Sequence, residues 1–343
     1  MLHRRILPIL LLSLTFAATS IAFDLPKPAP PPPPVSLALD EPWYVDDSKV
    51  LDLLTEKITE LAKAKKAITQ EKLVATMKPA RPKLTLAKPG DKRLTPEDVY
   101  RQALPSVFVI GSVLKDKKTG EWVSGTYGSG WVAADGILVT NWHLFEDLEP
   151  GEVFGAADHK GNVYPITEFL GGDKTAAVAV VKVAGTGLVP LPVATGAAPV
   201  GSWIGILSHP GDHFYVFTQG HVTRYSRNTN EDGKAERWMG VTAEYASGSS
   251  GAPVLNDRGA VVGMTALTLT LDTPADDPKP KEKKDRRRIM RQPKPQEKPP
   301  LKDDPKAKPD PGAKDKPEAM PGVVQMVMKF AVPGPILRDT IGK

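Results

Sequence analysis

The chain has no cysteine among its 343 residues. That excludes disulfides, a lipid-attachment cysteine and every thiolate nucleophile, so the fold must stand on packing alone. It also lacks an apolar run long enough to span a bilayer, because the stretch from Ile6 to Ala18 falls short of the ~20 residues a transmembrane helix needs. That stretch is flanked by His3, Arg4 and Arg5 before it and by the small residues Ser20 and Ala22 after it. Residues 1–22 are therefore expected to be a cleaved secretory signal, leaving a periplasmic or extracellular chain with no stable membrane span. A metal-ligand set is missing as well. The spacing of His209 and His213 would align two ligands on a helix, but Pro210 and Gly211 prevent one, and neither His221 nor any carboxylate group completes a site. No metal and no cofactor is expected.

Proline, by contrast, is abundant: 35 residues, about twice the usual ~5%. The prolines gather in two places. The first, LPKPAPPPPPV in residues 25–35, enforces an extended, donor-poor backbone that behaves as a stiff spacer. The second lies in residues 273–321, which are almost entirely Pro, Lys, Arg, Asp and Glu and cannot bury enough apolar area to offset ordering entropy. A disordered charged insertion is expected there. It also accounts for the formal charge of +5 and the pI near 9.1, through residues such as Arg286, Arg287 and Arg288. Basicity thus belongs to one loop, and no nucleic-acid partner is expected.

The length suits one large domain or two small ones with tails, and a hydrophobic share of 41% suffices for a core. Residues 23–94 read as a Pro-rich linker plus a helical segment. Leu51, Leu54, Ile58, Leu61 and Ile68 follow helical spacing over residues 48–76, with Ser48 or Asp47 available as N-cap. Two readings stand for this helix: a coiled coil that makes a homo-oligomer through residues 48–76, or a helix lying on the domain. Lys65 interrupts the stripe, and three heptads are short for an isolated helix, which favours the second. Residues 78–93, basic and proline-bearing, read as linker.

The globular part is expected over residues 95–343. Thr95 can cap a short helix that has Pro96 at its first position and Glu97 and Asp98 in its first turn. From Ser106 the pattern changes to short apolar or alternating runs with glycine-rich turns: SVFVIGSV, GSGWVAA, GILVTN, NVYPITEFL, AAVAVVKV, SWIGILS, FYVFTQGHVTRYS, WMGVTAEY, APVLN and AVVGMTALTLT. VVQMVMKFAVP adds a strand beyond the charged tract, and GPILRDTIGK reads as a closing helix. Many short strands and little helix indicate an all-β barrel or sandwich.

Two segments place a base and a hydroxyl among these strands. They are GSGWVAADGILVTNWHLFED, containing His143, and EYASGSSGAPVLNDRGAVVGM, containing Ser250. A hydroxyl attacks a carbonyl only if a neighbour takes its proton, and the oxyanion that forms needs donors, which a tight glycine-bearing turn supplies as backbone N–H groups. GSSGAP offers such a turn around Ser250.

The order GSGW, TNWH, GSSGAP resembles the trypsin-like, chymotrypsin-fold serine peptidases, especially the bacterial HtrA/Deg branch, over about residues 95–343 apart from the charged insertion. ILSHPGDHFYVFTQGHVTRYS is similar to that family's opening of the second barrel. The resemblance implies a double six-stranded β-barrel with an N-terminal helix and a short C-terminal helix. It implies His143 as general base, Ser250 as nucleophile, the amides of Gly248 and Ser250 as oxyanion hole, and protein or peptide as substrate. Glu244, six residues before Ser250, falls where such enzymes place the floor of the specificity pocket, which would favour basic side chains. No PDZ-like segment is expected after the peptidase segment. Two departures stand out. Ala252 replaces the second glycine after the nucleophile, adding one methyl group, and Ala177 stands where the triad aspartate begins its strand. Three readings follow: Asp173, four residues upstream, reaches His143 as third member; the site is a slow Ser–His dyad; or the chain is a pseudopeptidase that binds peptides or a partner protein without cutting them. A further alternative is a scaffold whose helix and charged loop act alone.

Overall fold

The computed structural model describes residues 44–230, 232–272 and 324–342. The expected secretory signal, the proline spacer up to residue 43 and the charged insertion lie outside the described residues. Within them, two six-stranded antiparallel barrels form, as the family resemblance implied. The first comprises β1 (Val107–Lys115), β2 (Trp122–Ala134), β3 (Ile137–Asn141), β4 (Val153–Ala157), β5 (Val163–Asp173) and β6 (Val178–Val183), closed in the order β1-β2-β3-β6-β5-β4. The second comprises β7 (Trp203–Ser208), β8 (Val216–Thr229), β9 (Ala235–Val241), β10 (Pro253–Leu255), β11 (Val261–Asp272) and β12 (Val324–Pro333), closed as β10-β11-β12-β9-β8-β7. Closure removes open sheet edges, which matters in a chain without disulfides.

The connector between the barrels pairs with both. Leu191 N–H donates to the Val132 carbonyl in β2, and Ala194 N–H to the Val261 carbonyl in β11, each at 2.9 Å. One apolar cluster, with Val107, Trp131, Leu207 and Met264 among its fully buried members, runs through both barrels. Such shared packing fixes the cleft between them as rigidly as either interior.

Among the described residues four helices complete the fold: α1 (Asp47–Lys63), α2 (Gln70–Thr76), α3 (Pro96–Ala103) and α4 (Gly334–Ile341). The anticipated cap of α3 is present, with Asp98 N–H donating to Thr95 Oγ1 at 3.2 Å. The N-cap of α1 is Asp46, whose Oδ1 accepts from Lys49 N–H, one residue before Asp47 and two before Ser48, the candidates from the sequence. The helical stretch breaks at Lys65, which adopts φ +53, so residues 48–76 form two helices. The buried face of α1 is Val50, Leu54 and Ile58, two of them from the expected stripe, while Leu51 and Leu61 are half-buried, and this face lies against β1 and β4 of the same chain. Two glycines make that approach close: a methyl at Gly111 would sit 2.4 Å from Leu54 Cδ2, and one at Gly155 would sit 2.8 Å from Ile58 Cγ1. The face that a second copy would need is thereby occupied.

Residues 78–93 are more than a linker. Ala80 exchanges backbone hydrogen bonds with Gly172 at the end of β5, and Leu84 N–H donates to the Ile341 carbonyl at 2.9 Å. The segment straps the first barrel to α4, which itself buries Leu337 and Ile341 completely. Because Ile58 is fully buried under the first barrel, Ile58→Ala should lower stability by about 2–5 kcal/mol, read as a shift of the denaturation midpoint. A change below about 0.5 kcal/mol would show that α1 is not integral to the domain.

Candidate active site

β3 ends at Asn141 and passes into a 3₁₀ turn, Trp142–Phe145, that carries His143. The turn is anchored by its aromatic neighbours. The Trp142 ring meets Phe169 edge-on at 5.3 Å, and Phe145 packs on Phe154 at 5.3 Å and on Phe169 at 6.0 Å. Two donors next to His143, Trp142 N–H at 3.2 Å and Asn141 Nδ2 at 2.8 Å, converge on the carbonyl of Ala177. Ala177 itself has φ +58, a left-handed conformation that alanine adopts reluctantly and aspartate more readily.

Ser250 lies in the turn between Ala246 and Pro253, and one strand residue organises that turn. Ser129 of β2 donates its N–H to the Ser250 carbonyl at 2.8 Å and its Oγ to the Gly248 carbonyl at 3.0 Å. The carbonyl of Ser129 in turn accepts from Thr140 Oγ1 of β3 at 2.7 Å. Gly251, at φ +90, fits into this junction without room for a side chain. A Cβ there would lie 2.2 Å from the Ser129 carbonyl oxygen, 2.3 Å from Thr140 Oγ1 and 3.1 Å from the Asn141 nitrogen. The residue after Ser250 therefore abuts the residue two before His143. Segments more than a hundred positions apart in sequence meet across the cleft.

The amides of the turn divide into two sets. Those of Ser249, Gly251 and Ala252 donate to the carbonyls of Ala246, Thr265 and Ser249, at 3.0, 3.1 and 3.0 Å. Those of Ser247, Gly248 and Ser250 have no acceptor among the described residues, and of these three residues Gly248 and Ser250 are buried while Ser247 is exposed. Gly248 is at φ +89, with the His209 carbonyl 2.3 Å and the Tyr127 ring 2.7 Å from where its Cβ would be, so only glycine fits.

His143 is partly buried, and burial lowers its pKa below the usual 6.5, while the nearby Glu146 carboxylate pulls the other way. Glu146 is tied to Lys174 at 2.7 Å. Asp173, at the end of β5, accepts the Ala176 N–H on Oδ1 at 3.1 Å and so caps the turn into β6. Glu244 is largely exposed, but its Oε2 meets Lys329 Nζ at 2.9 Å. Lys329 is buried on β12, donates to the Tyr245 carbonyl at 2.9 Å and lies 5.4 Å above the Tyr245 ring. The sequence reading missed Ser129, Thr140 and Lys329. Ser129 was visible inside GSGW, but its task depends on two turns that only the closed barrels bring to it.

The three histidines weighed as ligands have separate partners or settings: His213 Nδ1 meets Asp47 Oδ2 at 2.9 Å, His221 is exposed on β8, and His209 Nδ1 accepts the Tyr215 N–H at 3.0 Å.

The model of the family described as a trypsin-like peptidase domain matches residues 128–264, the span from β2 through the Ser250 turn into β11. Those residues carry a likeness to the trypsin-like peptidase domain. Similar proteins include several described as DegP-like or DegS serine endoproteases. One is a "Probable periplasmic serine endoprotease DegP-like" of Ectopseudomonas mendocina, 28% identical over 145 residues, which are 42% of this chain and 30% of that protein. Another protein of the same description, from Chlamydia pneumoniae, is 31% identical over 145 residues, 42% of this chain and 29% of that protein. "Serine endoprotease DegS" of Haemophilus influenzae is 26% identical over 145 residues, 41% of this chain and 42% of that protein. The aligned peptidase domain thus spans about a third of the length of these relatives.

His209 supplies a test of how the peptidase domain is held together. Burial pushes its pKa to about 3, and its ring must stay neutral for Nδ1 to accept from Tyr215. The folded value lies below the ordinary one of 6.5, so the unfolded chain takes up the proton first. The stabilisation is complete above pH 6.5 and is lost as the pH falls toward 3, with a slope of up to about 1.4 kcal/mol per pH unit. Thermal melts of wild type and His209→Asn should differ by this slope between pH 6 and 4, and parallel curves would exclude the contribution.

Proposed function

We propose that the chain is an exported serine endopeptidase in which His143 removes the proton of Ser250 as its Oγ attacks a substrate carbonyl. The observation that carries this reading is the pair of unsatisfied amides, Gly248 and Ser250, beside a serine whose following residue packs against the His143 strand. These amides would donate hydrogen bonds to the oxyanion, and His143 would pass its proton to the departing amine. Water would then release the acyl group by the same route. Substrate is protein or peptide, and the export signal read at residues 1–22 agrees with the periplasmic description of the relatives.

His143 is neutral near pH 7 because burial disfavours its cation, which makes it available as a base. The same burial opposes the imidazolium that forms during attack. A triad aspartate normally offsets that cost, and its loss lowers turnover on the order of 10⁴, or about 5–6 kcal/mol. Ala177 has no carboxylate, and the charge acting on the ring is that of Glu146. A slow dyad is the expected state. Ala177 also favours a second reading, a pseudopeptidase that binds peptides without cleaving them.

A fluorophosphonate probe separates the two. Labelling of wild type that vanishes in Ser250→Ala supports the enzyme, and an unlabelled folded wild type supports the pseudopeptidase. If the dyad operates, Ala177→Asp should raise kcat/KM at least tenfold, since position 177 already has a backbone that aspartate tolerates. In wild type, kcat/KM should fall on acidification through a pKa below 6.5, because protonation removes the base. The new carboxylate would stabilise the imidazolium and move that limb to higher pH.

Glu244 belongs to the same reading as a determinant of specificity, but Lys329 neutralises it. Wild type should therefore show no preference for substrates with Lys or Arg before the scissile bond. Lys329→Met frees the Glu244 carboxylate and should raise kcat/KM for such substrates, relative to matched alanine peptides, by about tenfold. An unchanged ratio would place Glu244 outside the pocket.

A further inference from the structure

Helix α1 begins with two adjacent aspartates that have different partners. Asp46 caps the helix, whereas Asp47 reaches across to the segment joining β7 and β8, more than 160 positions away. Its Oδ1 accepts the Phe214 N–H at 2.9 Å, and its Oδ2 meets His213 Nδ1 at 2.9 Å. The same segment is held from β2, where the Tyr127 hydroxyl accepts the Asp212 N–H at 2.9 Å. Asp212 and Tyr215 have φ +62 and +59, conformations that persist in non-glycine residues only when surrounding contacts impose them.

The inner edge of this segment is the wall of the Ser250 turn. Gly211 N–H donates to the Ser247 carbonyl at 2.8 Å, and the His209 carbonyl faces the open side of Gly248. The Ser247 carbonyl and the Gly248 N–H belong to one peptide plane, so whatever grips the carbonyl sets the direction of the amide. An unbroken series of contacts therefore leads from Asp47 through residues 211–214 to the Gly248 amide.

We infer that Asp47 is a positioning residue: by pinning the segment between β7 and β8 it holds the Ser247–Gly248 peptide in its donor orientation, making α1 a brace of the oxyanion site. For catalysis this rests on the proposed peptidase function, but the mechanical coupling stands apart from it. Asp47 and His213 are both at the surface, and the buried face of α1 is untouched by substitution at position 47.

The test uses the full chain with Asp47→Ala, Asp47→Asn and, as control on the exposed face of α1, Lys57→Ala. Two readouts are taken: the rate of Ser250 labelling by a fluorophosphonate with kcat and KM on a peptide ester, and amide deuterium exchange over residues 209–215 and 246–252. Asp47→Ala should slow labelling about tenfold, lower kcat with little change in KM, and speed exchange in both segments about tenfold. Asp47→Asn, which keeps an oxygen for the Phe214 amide, should recover most of both, and Lys57→Ala should move neither. Labelling of Asp47→Ala within twofold of wild type, or unaltered exchange over 246–252, overturns the inference. If wild type is not labelled at all, the peptidase reading fails alone and the exchange measurement still decides whether the brace exists.

Discussion

Gly251 lies so close to the Ser129 carbonyl, Thr140 Oγ1 and the Asn141 amide nitrogen that the Ser250 turn and the β3 end form one packing unit. Neither barrel alone can set the distance between the two motifs. β2 and β3 belong to the first barrel, whereas Thr265 of β11, which receives the Gly251 and Ala252 amides, belongs to the second. The turn is caught between them through hydrogen bonds on both sides. Buried backbone groups that find partners in this way resist displacement, because each broken bond would leave a desolvated donor or acceptor. The partnerless amides on the two buried residues Gly248 and Ser250 stand out against that background.

The electrostatics of the site differ from the geometry in completeness. The turn that carries His143 is locked by Trp142, Phe145 and the Ala177 carbonyl, so the ring has a defined seat. Its charge environment is thin by comparison. Position 177 contributes a carbonyl to hold the backbone and an uncharged methyl side chain, and Asp173 is engaged by its own turn. Glu146, already paired with Lys174, is a shared and partly solvated counter-charge, which has less effect on a ring than a dedicated buried one.

Much of the fold was legible because strand alternation and glycine turns are local signals. The runs from SVFVIGSV to VVQMVMKFAVP each overlap an observed strand, though WMGVTAEY continues past the end of β9 at Val241, and Thr95 and Pro96 mark the start of α3 as their chemistry requires. β4 was overlooked because VFGAA is short, has two alanines and is buried on every residue, so it has no alternation to read. Of the expected helical stripe, Leu54, Ile58 and Ile68 are buried, whereas Leu51 is half-buried and its apolar neighbour Val50 faces inward in its place. The strap through Ala80 and Leu84 has no signature in sequence, since its partners are backbone groups of distant segments. The motifs around His143 and Ser250 were readable from order and spacing. Their supports, Ser129, Thr140 and Lys329, were not, because hydroxyls and a lysine within strands look the same whether they serve a site or face solvent.

The closing pair of strands has a consequence for the integrity of the chain. β12 is inserted between β11 and β9, its pairing with β11 running from Gly263↔Pro333 to Asp272↔Val324, and α4 follows with Leu337 and Ile341 fully buried. Residues 273–323 thus join two ends that are already neighbours in the sheet. A chain severed anywhere in that stretch would keep its last nineteen described residues in place by noncovalent contacts, and the molecule would persist as a nicked, two-chain species with both barrels shut.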